Sequence, residues 1–85
     1  MDLQEIRSII DKIDAQLIQL FKERMDLTKK VAEYKKLHGL PIHDPVRERE
    51  ILKRVSQKAE NEYEEAVKEI YTLLLRLSKA EQEKI

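Results

Sequence analysis

Arg24 stands where the chain asks for leucine. Read from Leu3 in alternating steps of three and four, Leu3, Ile6, Ile10, Ile13, Leu17 and Leu20 lead up to Arg24, and Leu27, Val31 and Tyr34 follow it. A repeat of this period is the seam of a helix that packs lengthwise on apolar neighbours. A guanidinium in that seam has two readings. Its stem can snorkel so that the head reaches water or a carboxylate, or the head can lie in a pocket that receives an anion. Lys35 favours the second. It comes eleven residues later, and eleven helical steps of about 100° end only about 20° past three full turns. Arg24, Thr28, Val31 and Lys35 therefore share a face, with the two cations roughly 16 Å apart at their Cα atoms. Two cations flanking a small and an apolar residue suit an elongated ligand with separated negative groups.

Other polar residues sit at comparable spacings. Asp44 and Glu48 are four apart, and Arg47 lies one turn from Asp44. Taken alone they read equally as a helix cap with ordinary surface charges. Ser78 and Gln82 are also four apart, where an apolar stripe would be expected to continue. The alternative for them is a polar, fraying helix end. Arg7 precedes Arg24 by seventeen residues, which places it about 100° around the helix and roughly 25 Å away along it. It cannot join Arg24 within one copy of the helix, but in an antiparallel dimer it would reach the partner's. Other chemistry is not indicated. There is no glycine-rich phosphate loop, Ser78 has no histidine near it in sequence to activate it, and His38 and His43 lack the partners of a metal site. No metal and no cofactor are expected.

Three helices per chain are expected to position these groups. The first spans roughly 3–37, with Asp2 as its cap and Gly39 and Pro41 as its stop. After a loop, Asp44-Pro45 opens a short second helix of about 14 residues, because aspartate caps and proline fits the first turn. Ile51, Leu52 and Val55 give it an apolar face, and it should end near Lys58 or Ala59. Asn61 followed by Glu64 resembles a capping box, so a third helix of about 23 residues is expected from there. Its stripe runs Tyr63, Val67, Ile70 and Leu74 before turning polar at Ser78 and Gln82.

Composition supports an all-α domain. Of 85 residues, 40% are charged and 5% aromatic, with one glycine and two prolines, a helix-favouring balance. The 17 basic and 17 acidic residues cancel, so there is no cationic excess to neutralise nucleic acid or an acidic membrane. The absence of cysteine rules out disulfides and fits a reducing compartment. The acidic start Met1-Asp2-Leu3-Gln4-Glu5 does not read as a signal peptide, and no apolar run approaches a membrane span. The expectation is one cytoplasmic domain over residues 1–85.

Helix length argues for a dimer. A 35-residue helix is about 52 Å long, whereas a compact chain of this size has a radius of gyration of roughly 12 Å. The two shorter helices cannot cover both ends of the long one and its flanking Ile9, Ile18 and Phe21. A second copy is the simplest cover.

Arg7, Arg24, Lys35, the segment Pro41-Ile42-His43-Asp44, Arg47-Glu48-Arg49, and Ser78 with Gln82 occur in an order and spacing that resemble the all-helical AroQ class of chorismate mutases. The resemblance covers essentially the whole chain. It implies three helices per chain in an intertwined homodimer and the isomerisation of chorismate, a small dicarboxylate, to prephenate by a Claisen [3,3] rearrangement, a step of the shikimate pathway in aromatic amino acid biosynthesis. It further implies that Arg24, with Arg7 of the partner subunit, binds the two carboxylates. Lys35 would bridge a carboxylate and the ether oxygen, and Gln82 would donate to that oxygen. Glu48, helped by Asp44, would hold the ring hydroxyl, Arg47 and Ser78 would complete the polar wall, and Val31 would pack on the ring. Two rivals stand beside this reading. One is an isochorismate-pyruvate lyase of the same fold, the other a non-catalytic helical dimerisation module.

Overall fold

The computed structural model describes residues 1–85 and contains two α-helices and no strand, α1 (Leu3–Leu37) and α2 (Pro45–Glu83). Local chemistry sets the ends of α1. The Asp2 carboxylate accepts the Glu5 backbone N–H at 2.8 Å, satisfying a donor that the first turn leaves open. At the other end Gly39 has φ 65, and Leu40 N–H returns to the Lys35 carbonyl at 2.8 Å while Gly39 N–H returns to that of Lys36 at 3.4 Å. This paired closure needs a left-handed residue, which glycine adopts without steric cost. At the start of α2, the Asp44 side chain accepts Arg47 N–H at 3.1 Å, with Pro45 in the first turn.

The expectation of three helices is corrected to two. The anticipated second and third helices form the single 39-residue element α2, and the anticipated joint is reduced to one residue, Glu60, with φ 62 and ψ 178. The reason lies in the residues around it. Gln57 to Glu65 has neither glycine nor proline and is built mainly from Lys, Ala and Glu, which keep a helix going. Asn61, read as a cap, takes no side-chain hydrogen bond to the backbone of the following turn, so nothing there holds open a separate loop.

The bend at Glu60 organises the fold. A straight 39-residue helix would hold its ends about 57 Å apart. Instead Asp44 and Gln82, from opposite ends of the bent segment, line one cavity together with the C-terminal part of α1. The small core sits beside it, with Ala32, Ile51 and Val55 buried and Thr28, Ser56 and Ser78 as buried polar neighbours. The φ/ψ pair of Glu60 is essentially a glycine conformation and costs a side-chain-bearing residue about 1–3 kcal/mol. Glu60→Gly is therefore expected to raise stability by about 1 kcal/mol, read as a rise of several degrees in the thermal midpoint followed by circular dichroism. An unchanged or lower midpoint would mean that the bend carries no strain.

Residues 1–23 are all exposed. Leu3, Leu17, Ile18 and Leu20 are each about 60% exposed, so the apolar seam read from the sequence has no cover within one chain. The molecule is a rod with an appended hairpin, 55 × 26 × 15 Å, with a radius of gyration of 16.0 Å. No helix is long and apolar enough to cross a membrane.

Candidate active site

The cavity between α1 and the two limbs of α2 has a volume of about 320 Å³, at the small end of the range for ligand sites. Helical period determines what α1 contributes. Arg24, Thr28, Val31 and Lys35 line the cavity along one face, joined by Leu27. The N-terminal limb of α2 and the residues leading into it supply Ile42, Asp44, Arg47, Glu48, Ile51 and Arg54, and the C-terminal limb supplies Leu75, Ser78, Lys79 and Gln82. Of the nine residues singled out in the sequence, eight meet here: Arg24, Val31, Lys35, Asp44, Arg47, Glu48, Ser78 and Gln82. Arg7 does not. It lies exposed on the free part of α1, nearly five turns before Arg24.

Both cations on α1 are half-buried and fixed without neutralisation. The Arg24 guanidinium donates to Ser78 Oγ at 2.7 Å, and no Asp or Glu forms an ion pair with it. That hydroxyl lies 3.9 Å from the sulfur of Met25. Lys35 Nζ donates to the Ile42 carbonyl at 2.9 Å, which ties the loop to the helix and leaves the ammonium's other protons free. A desolvated cation without a counter-charge is costly. Two of them facing one cavity make a receptor for carboxylates.

On the opposite wall Glu48 is half-buried in the first turn of α2, where the helix dipole favours an anion. His43 Nδ1 lies 3.9 Å from its carboxylate. Arg47, more exposed, reaches Glu50 at 3.6 Å. Gln82 carries the most informative feature, because its Oε1 is buried and has no hydrogen-bond partner. Leaving such an atom unpaired costs about 1–3 kcal/mol; it is an acceptor, so it calls for a donor, while the amide nitrogen is the end of the group that could donate to a ligand. The Gln82 turn carries one contact within itself and lies beside one to α1. Lys84 Nζ bonds the Glu81 carboxylate at 2.8 Å and, chiefly through that hydrogen bond, holds the carboxyl below its ordinary range. Lys36 Nζ bonds the Ile85 carbonyl at 3.2 Å.

Sequence reasoning missed Arg54 and Lys79. Arg47, Ile51 and Arg54 follow the i, i+4, i+7 row of one helical face, and Leu75, Ser78, Lys79 and Gln82 form another such row. That periodicity was the available signal.

The arrangement can bind a carboxylate-bearing anion and orient it against a carboxylate wall. Comparison with known proteins points the same way. The family model described as chorismate mutase type II matches residues 6–83. A chorismate mutase of Methanocaldococcus jannaschii is 41% identical over 80 residues, which cover 92% of this chain and 81% of that protein. A bifunctional chorismate mutase/prephenate dehydratase of Aquifex aeolicus is 44% identical over 54 residues, 64% of this chain but 15% of that protein. A 4-amino-4-deoxychorismate mutase of Streptomyces venezuelae is 37% identical over 46 residues, 54% of this chain and 45% of that protein. The chain thus spans most of the archaeal relative and only a small part of the bifunctional one.

Proposed function

This chain belongs to the type II chorismate mutase family, and from that membership we propose that it isomerises chorismate to prephenate as a single domain over residues 1–85, working as a cytoplasmic homodimer in aromatic amino acid biosynthesis. The observation that carries the reading is the convergence of un-neutralised Arg24 and Lys35 with the Gln82 side chain on one cavity.

The reaction is unimolecular. The ether C–O bond breaks as a new C–C bond forms, electrons move round a six-membered ring, and no proton changes place. Neither a nucleophile nor a general base is required. The protein must hold the compact diaxial conformer and stabilise negative charge as it grows on the ether oxygen. Arg24, with Arg7 of the partner subunit, binds the two carboxylates. Lys35 bridges a carboxylate and the ether oxygen, and Gln82 donates to that oxygen from its amide nitrogen. These two donors strengthen in the transition state, so they raise kcat rather than merely tightening binding. Glu48, with Asp44 beside it, accepts from the ring hydroxyl. Arg47 and Ser78 complete the polar wall, and Val31, still 46% exposed in one chain, packs on the ring.

The dimer is supported by the uncovered seam of α1. If two α1 helices pair antiparallel about a centre between residues 15 and 16, Arg7 comes level with Arg24 of the partner subunit. The same register sets Ile10 against the partner's Phe21 and Ile13 against the partner's Ile18, and all four are exposed in a single chain.

The direct test follows the loss of chorismate absorbance with purified protein. Saturable turnover with prephenate as product is expected. Release of pyruvate from isochorismate without prephenate formation from chorismate would replace the reading with a lyase, and a well-folded dimer inert on both would reduce it to a dimerisation module. Gln82 has its own signature. A carboxylic acid donates only while protonated, so Gln82→Glu should retain activity at acid pH and lose it as the glutamate ionises. A pH profile as flat as that of the unaltered protein would mean that residue 82 does not reach the ether oxygen.

A further inference from the structure

The cavity holds more positive charge than a dicarboxylate needs. Arg24, Lys35, Arg47, Arg54 and Lys79 face two carboxylates, Asp44 and Glu48, in a chain whose charges otherwise balance. Arg24, Lys35 and Arg47 have assigned partners or roles. Arg54 and Lys79 do not. Neither makes an ion pair, so neither charge is neutralised where it lines the cavity. The two come from opposite limbs of the bent helix, Arg54 exposed and Lys79 half-buried, so they flank the cavity rather than sharing one surface patch. Substrate and product both carry two negative charges. Unpaired cations in a concave, partly apolar wall concentrate field lines and draw such an anion inward.

Resting on the chorismate mutase reading, we propose that Arg54 and Lys79 are a capture pair that attracts the dianion into the cavity without touching the reacting atoms. Their effect is Coulombic and reaches through solvent at the mouth, so it is open to screening by salt. It acts on a substrate that keeps its charge throughout the rearrangement, so it favours ground state and transition state alike. KM should respond and kcat should not.

The experiment measures kcat and KM of the full chain for chorismate across roughly 20 to 300 mM salt, for the unaltered protein, Arg54→Gln, Lys79→Gln, the double variant, and Lys53→Gln. The last removes a cation from the same limb outside the cavity. At low salt each cavity variant is expected to raise KM about fourfold with kcat within about twofold, a size set by one charge acting on two at about 10 Å with water between them. The loss should shrink as salt rises, and the double variant should have the flattest salt dependence. Lys53→Gln should match the unaltered protein. Equal falls in kcat and kcat/KM would overturn the proposal by making these residues transition-state contacts. An unchanged KM, or a loss that salt does not diminish, would overturn it as well. Failure of the functional reading itself looks different, because the unaltered protein would then not turn over chorismate at any salt.

Discussion

Arg24→Leu should fold at least as well as the unaltered protein and lose catalysis by at least two to three orders of magnitude. The two halves of that expectation come from the same position. Arg24 occupies a seam whose other members are apolar, it is half-buried, and it has no carboxylate partner. Leucine removes a poorly solvated charge and continues the seam, and exchanges of this kind are often neutral or stabilising. The hydroxyl of Ser78 loses a donor at 2.7 Å but keeps its contact with Met25. In the bound state the same change deletes one arm of the carboxylate clamp. Loss of a preorganised charged donor costs about 3–4 kcal/mol in the transition state, or roughly 10²–10³ in rate, and misplacement of the substrate adds to it. Thermal midpoint and kcat/KM measured on one preparation decide the matter. Turnover retained in a stable protein would remove Arg24 from the clamp. Arg24→Lys sharpens the comparison, because it keeps the charge and loses the planar fork, and should recover only part of the activity.

How much of this was legible in the chain depended on which distances the residues themselves fix. α1 has the bounds that its cap and terminal glycine predict, since Asp2 and Gly39 act on the first and last turns through local hydrogen bonds. The shared face of Arg24, Thr28, Val31 and Lys35 follows from helical period alone. The meeting of that face with Asp44, Glu48, Ser78 and Gln82 does not, because it depends on the angle of α2 at Glu60, which no periodicity measures. The same place defeated the helix count. Asn61 and Glu64 have the types of a capping box, yet the chain between Gln57 and Glu65 is so helix-favouring that the break shrinks to a single residue. Arg54 and Lys79 escaped notice because 40% of the chain is charged. One more cation on a helix reads as solvated surface until the inward face is known.

Arg7 offers the second large effect, and it separates a site built from one chain from a site shared by two. Arg7 lies about 25 Å along α1 from Arg24, and every residue of the helix between them is exposed. No rotamer closes that gap within a chain, whereas the antiparallel pairing proposed above would close it between chains. Arg7→Ala and Arg24→Ala should each be nearly inactive as purified homodimers. If subunits of the two variants are mixed through unfolding and refolding, a mixed dimer has one site with both arginines and one with neither. Random pairing makes about half the dimers mixed, with one competent site of two in each, so about a quarter of the unaltered activity should return. Tagging the two chains differently and isolating the mixed dimer should raise the yield to about half. If Arg7 served its own chain instead, every site in the mixture would lack one arginine and nothing would return. Recovery therefore requires both a dimer and a site that crosses it, and a mixed dimer as inactive as its parents would overturn the shared site while leaving the Arg24 clamp to its own test.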